Sequence, residues 1–123
     1  MKYGILIVSH VPEIAHGVAK MLNQISTKTP ITFAGGTDDG VIGTSLQKIC
    51  DAIDANVADE ILAFYDIGSS KINLELATEL SNKKIHIFDS ALVESSYVVA
   101  SLISSGKNLT EIKEKISPLS FNL

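Results

Sequence analysis

Apolar residues in this chain follow two spacings that alternate from one end to the other. Four short, largely apolar segments read as strands: Ile5 to Val8, which is unbroken, Pro30 to Ala34, Ile61 to Tyr65 and Ile85 to Phe88. The first is too short for a buried helix and rich in β-branched residues, which suits a strand covered on both faces. Between the runs, apolar positions recur at three and four residues, the period of a helix with one buried face. Ile14, Val18, Met21, Leu22 and Ile25 mark a first helix, opened by Pro12. Leu46, Ile49, Cys50 and Ile53 mark a second, capped by Thr44 or Ser45. A third has Ser69 or Ser70 as its cap, with Ile72, Leu76 and Leu80 expected to face the sheet. The fourth spans Ala91 to Ser105, with Leu92, Val99, Leu102 and Ile103 in its buried set and Gly106 as a left-handed cap. Asn108-Leu109-Thr110-Glu111 has the form of a capping box opening a short last helix, which Pro118 stops. Leu119 to Leu123 could add a final edge strand.

Strands alternating with helices predict an α/β fold, a doubly wound and mainly parallel sheet with helices on both faces. Residues 1–123 form one domain on this reading. Right-handed crossovers favour the strand order 2-1-3-4, in which the first and third strands lie side by side at the topological switch point. His10 leaves the first strand there and Asp66 leaves the third. Taken alone, His10 is equally well explained as a solvated or capping residue, and Asp66 as a turn acid favoured by a helix dipole. The topology brings the two together, and that juxtaposition favours chemistry.

Imidazole suits phosphoryl transfer, because a neutral nucleophilic nitrogen is available near neutral pH. One ring nitrogen must hold the proton while the other attacks, and a carboxylate on the first fixes that choice. His10 is the expected nucleophile and Asp66 the expected orienting group. Backbone N–H groups at a helix start can receive phosphoryl oxygens. Gly68, Ser69 and Ser70 stand at one such start, and Ser9 and Val11 flank the histidine. Gly35, Gly36, Thr37 and Asp38 form a neighbouring loop expected to serve phosphate or partner binding, although turn formation alone accounts for its glycines and acids. His16 and His86 read as structural or surface residues.

Composition narrows the class further. At 123 residues with 46% hydrophobic residues and no Trp, the chain can bury a largely aliphatic core. Net charge is −4 with no basic block, which argues against nucleic acid as the main partner. Cys50 is the single cysteine, so neither an internal disulfide nor a multi-cysteine metal site is available. No metal is expected. The first strand starts at once, leaving no room for a signal peptide, and no apolar run reaches bilayer length. A cytoplasmic protein is expected. G-x-x-x-x-G-K-[ST] and a G-x-G-x-x-G after the first strand are both absent, which disfavours nucleotide sites of those kinds. A phosphoaspartate receiver would need acids where Ser9-His10 stands.

Four segments together resemble a known family: Gly4-Ile-Leu-Ile-Val-Ser-His10, Gly35-Gly36-Thr37-Asp38-Asp39-Gly40 with Gly43-Thr44-Ser45, Asp66-Ile67-Gly68-Ser69-Ser70, and Leu92-Val93-Glu94. They are similar to the mannose-type IIA domains of the bacterial phosphotransferase system, over nearly the whole chain. The Gly-rich loop and the Asp-x-Gly-Ser segment favour the branch serving PEP-dependent dihydroxyacetone kinases over sugar-transporter IIA domains. The resemblance implies that His10 accepts phosphate from the phosphocarrier HPr and passes it to ADP held on the nucleotide-binding subunit DhaL. The ATP formed then phosphorylates dihydroxyacetone on DhaK. It also implies a homodimer, and no cofactor on this chain. Ser95-Ser96 stands where the family often has Gly-Ala. Some relatives continue into HPr-like domains, whereas this chain is expected to use a separate HPr. Two alternatives stand beside this reading: a IIA component feeding a sugar permease, and a non-catalytic module on a flavodoxin-like scaffold.

Overall fold

The strand β1 (Tyr3–Ser9) is buried along its full length, and β3 (Glu60–Tyr65) from Ile61 onward. Both therefore need cover on both faces, which only a central position supplies. The computed structural model describes residues 2–121. In it β1 and β3 are neighbours, with β2 (Ile31–Gly35) outside β1 and β4 (Lys84–Phe88) outside β3. The sheet is parallel throughout, in the order β2-β1-β3-β4.

Five α-helices cover it: α1 (Pro12–Ile25), α2 (Leu46–Ala55), α3 (Gly68–Leu80), α4 (Leu92–Ser104) and α5 (Leu109–Ile116). Alternate strand residues serve two cores. Ile5, Ile7, Leu62 and Phe64 meet Val18 and Leu22 of α1, Val99 and Ile103 of α4, and Ile112 of α5. Leu6, Val8, Ile61, Ala63 and Tyr65 meet Ile49 and Ile53 of α2 and Leu74 of α3. Each fully buried Ile, Leu or Phe contributes about 1.5–3 kcal/mol over leaving it exposed, so these layers supply most of the driving force. Local signals agree with the packing. Ser45 caps α2 by accepting from the Lys48 N–H, and Asn108 and Glu111 form both halves of the capping box on α5. Gly106 takes the left-handed conformation after α4, at φ +81°.

Three expectations change. Ile72, Leu76 and Leu80 do not face the sheet; they are 63%, 44% and 70% exposed, and Ser70, Leu74 and Ala77 are buried instead. The small residues Ser70 and Ala77 let α3 lie close, which a row of large aliphatics would prevent. Neither Ser69 nor Ser70 caps α3, because Ile67 occupies the N-cap and both hydroxyls are used elsewhere. The expected edge strand at Leu119 to Leu123 is not formed among the described residues. Pro118 sits in a 3₁₀ turn over Ser117–Leu119, and one antiparallel bridge, Ser90 to Ser120, follows. Asn122 and Leu123 lie outside the described residues. Ser95 and Ser96 are both fully buried; Ser96 returns its hydroxyl to the Leu92 carbonyl at 2.6 Å.

Candidate active site

Parallel register sets the site. Val8 pairs with Tyr65 and Ser9 with Gly35, so three strands end at one level and release Ser9-His10, Gly36 and Asp66 at the same sheet edge. Helices α1 and α3, which follow β1 and β3, leave on opposite faces there, opening the crevice between the two strands.

Asp66 is the hub. Its Oδ2 accepts from the Ser9 hydroxyl at 2.8 Å and from the His10 backbone N–H at 2.9 Å. Its Oδ1 lies 3.0 Å from His10 Nδ1 and accepts from the Ile67 N–H at 2.7 Å; the Ser70 hydroxyl stands 3.3 Å away and donates to the Ile67 carbonyl at 2.6 Å. Burial pushes this carboxyl up, but the bonds from His10, Ser9 and Ile67 together outweigh it and hold it below the usual carboxylate value. An ionised Asp66 only accepts, so His10 Nδ1 carries the proton and donates it. In the neutral imidazole the lone pair then belongs to Nε2. The Ser69 hydroxyl stands 2.8 Å from Nε2 and can donate to it in that form. The ring is held at both nitrogens, and its reactive edge points to the rim of the sheet, where Ser69 is exposed.

The backbone around His10 is tied down as well. The Ser9 hydroxyl accepts from the Val11 N–H at 3.1 Å, and the His10 carbonyl accepts from the Gly43 N–H at 2.9 Å. The second contact docks the loop between β2 and α2 onto the histidine. Thr44 of that loop accepts from Asn73 of α3 at 2.9 Å, tying the loop to the helix that carries Ser69. Gly43, Thr44, Asn73 and Ser70 thus belong to the site's frame. Of these, Gly43 and Thr44 lay in a recognisable sequence segment, whereas nothing in the local sequence marks Asn73.

The other expected site residues divide. Gly35 and Gly36 pack on the first turn of α1, where a Cβ on Gly35 would stand 2.7 Å from Pro12 Cα; Gly36 has φ +79°. Their role visible here is close packing against the helix that follows His10. Thr37 closes its own loop through Val41. Asp38 accepts from the Ser45 hydroxyl, which ties it to the cap of α2. Gly68 and Ser69 are exposed in the first turn of α3, beside the reactive ring edge. On the far side, Tyr65 donates to Asp89 at 2.6 Å, and Lys71 pairs with the same carboxylate at 2.9 Å. His16 is exposed and stacks on Phe33, while His86 pairs with Glu60 at 2.8 Å; neither approaches the site.

Comparison with known proteins bears on the chain as a whole. Residues 4–116 match the EIIA-man family model, described as the PTS system fructose IIA component. The chain is 40% identical over 119 residues to the PTS-dependent dihydroxyacetone kinase phosphotransferase subunit DhaM of Lactococcus lactis, covering 97% of each. It is 43% identical over 101 residues to the phosphoryl donor subunit DhaM of PEP-dependent dihydroxyacetone kinase 1 of Listeria innocua, covering 82% of each. The corresponding subunit of Escherichia coli is 30% identical, and there the match spans only 25% of a longer protein. Among solved structures, that of EF1359, a protein of unknown function, superposes with a TM-score of 0.84 at 31% identity, over 99% of this chain and 98% of the other.

Proposed function

The chain belongs to the mannose-type IIA family, in the branch of DhaM phosphotransferase subunits of PEP-dependent dihydroxyacetone kinases, and on that premise we propose that it is a phosphohistidine relay working through His10. The observation that carries this reading is the two-sided clamp on the imidazole. Asp66 holds Nδ1–H, which leaves the Nε2 lone pair aimed at the rim.

In the first half-reaction, Nε2 attacks the phosphorus of a phosphohistidine on HPr. The new N–P bond forms as the donor's N–P bond breaks, and the electron pair returns to the donor ring. With Nδ1–H held by Asp66, the neutral ring attacks through Nε2 without a general base. The ring gains positive character, which the Asp66 carboxylate stabilises through Nδ1–H. The Ser69 hydroxyl turns from Nε2 to a phosphoryl oxygen, joined by the N–H groups at the start of α3. In the second half-reaction, a β-phosphate oxygen of ADP, held on the DhaL subunit, attacks the phosphorus. The Nε2–P bond breaks, its electrons return to Nε2, and ATP forms on the partner for phosphorylation of dihydroxyacetone. Nucleotide stays on the partner throughout, and this chain binds no cofactor of its own. It acts in the cytoplasm, as a homodimer, with Gly36 to Asp38 shaping the face that partners meet. Among the described residues no helix is long and apolar enough to cross a membrane.

The test is an intact mass measured after incubation with PEP, Enzyme I and HPr. One phosphoryl group should be gained, should be acid-labile and base-stable, and should be lost on adding ADP-loaded DhaL. Label that survives His10→Ala, or tight ADP binding to the isolated chain by calorimetry, would overturn the relay.

A further inference from the structure

Helix α3 turns three of its four large aliphatic residues, Ile72, Leu76 and Leu80, away from the sheet, and buries the fourth, Leu74. Ser69, Ile72, Leu76 and Leu80 follow at spacings of three, four and four, so they share one face of the helix. Ser69 heads that face and touches the reactive nitrogen of His10. The three aliphatics below it are all exposed, and Ile42 and Ile67, beside the site, are exposed at 77% and 59%. A row of exposed aliphatics therefore runs the length of α3 on the face that Ser69 heads at the transfer site. Scattered single apolar residues on a surface need no explanation, but a band joined to a reaction centre marks an interaction surface.

Resting on the relay reading, we infer that this band is the seat of the ADP-bearing acceptor subunit. Continuity is the first reason: a partner whose nucleotide reaches Nε2 must cover Ser69, and the band extends directly from that residue. Chemistry is the second. A subunit that must hold ADP in line with His10 needs a fixed orientation, and buried aliphatic anchors supply that better than rim charges do. Charge is the third. Glu75 and Glu79 are exposed and run beside Leu76 and Leu80, one turn apart. A surface that grips nucleotide phosphates is basic or metal-bearing at its mouth, and an acidic border complements it. The acceptor should accordingly present an apolar patch with a basic margin next to its nucleotide.

The experiment uses the full chain carrying Leu76→Glu and Leu80→Glu together. Both positions are exposed, so the fold should hold, as thermal melting by circular dichroism checks. Calorimetry against the ADP-loaded acceptor subunit should show binding weakened by about tenfold or more, with phosphoryl transfer slowed in proportion. Phosphorylation of His10 by HPr should keep its wild-type rate, and the mass by light scattering should match wild type. Slower phosphorylation by HPr would make the band the donor's seat, and a changed mass would assign it to a second copy; either overturns the inference, as does unaltered acceptor binding. Wild-type protein that binds the acceptor subunit without passing phosphate to ADP would instead sink the relay reading and leave the docking surface standing.

Discussion

At the scale of single residues, function concentrates in one carboxylate that collects hydrogen bonds from both chain segments meeting at the switch point. Asp66→Asn keeps the shape of the group but not its charge, so Nδ1–H is no longer enforced and the phosphorylated ring loses its counter-charge. Phosphoryl transfer through His10 should fall by about 10²–10⁴-fold, measured by quench-flow, while the fold survives. The same residue predicts an acid limb in stability. Its folded pKa lies below the ordinary value of about 3.9, so its contribution is complete above that pH and is lost as pH falls through the folded value. The stability gap between wild type and Asp66→Asn, from denaturant melts at stepped pH, should be open at neutrality and close below about pH 4. A gap that persists unchanged into strong acid would trace the effect to something other than the carboxylate. His10 and Asp66 are legible in the sequence because each ends a strand, and strand order follows from chain handedness. The contact of Ser69 with Nε2 is not legible. A serine in the first helical turn reads as a cap, and only the placement of α3 across the crevice from His10 brings its hydroxyl to the imidazole instead.

At the scale of elements, strands were easier to read than helix faces. A strand buried on both sides leaves an apolar run with one interpretation, and β1 and β3 lie where their runs place them. A helix can carry aliphatics at a period of three and four for two reasons, a core or an interface, and periodicity does not separate them. In α3 the stripe Ile72, Leu76, Leu80 has the regular spacing, while the buried side is built from Ser70, Leu74 and Ala77. The regular aliphatic stripe thus marks the outer side of this helix. The orientation is testable by a matched pair. Leu74 is fully buried, and Leu74→Ala should cost about 2–5 kcal/mol, the sum of lost transfer energy and a cavity. Leu76→Ala, at a half-exposed position, should stay within about 0.5 kcal/mol of wild type. Equal losses from the two in urea denaturation would mean that α3 is turned the other way. The segment after Pro118 departs from expectation for a related reason. Its composition suits a strand, yet Pro118 lies in a 3₁₀ turn, and among the described residues the pairing is one antiparallel bridge, Ser120 to Ser90, flanked by bonds from Ala91 to Leu119 and from Phe121 to Asp89.

At the scale of the whole molecule, a relay must meet and release partners repeatedly, so its charge distribution matters to rate more than to fold. The net charge is −4, and Asp38 and Asp39 project from the loop docked on His10 through Gly43. The two acids are adjacent in the sequence, but the structure divides them. Asp38 accepts from Ser45, whose oxygen also caps α2, so Asp38 helps to hold the loop in place. Asp39 is exposed in the same turn. Asp39→Asn should therefore lower the association rate with a basic partner and flatten its dependence on ionic strength, leaving the melting temperature unchanged. Asp38→Asn should show the same kinetic change together with a loss of stability, because replacing an ionised acceptor weakens the Ser45 cap; caps of this kind are worth about 1 kcal/mol. Stopped-flow association over a salt series, paired with thermal melts, separates the two. If Asp39→Asn leaves the salt slope at its wild-type value, the loop does not steer encounter, and the approach of partners is governed by the acids on α3.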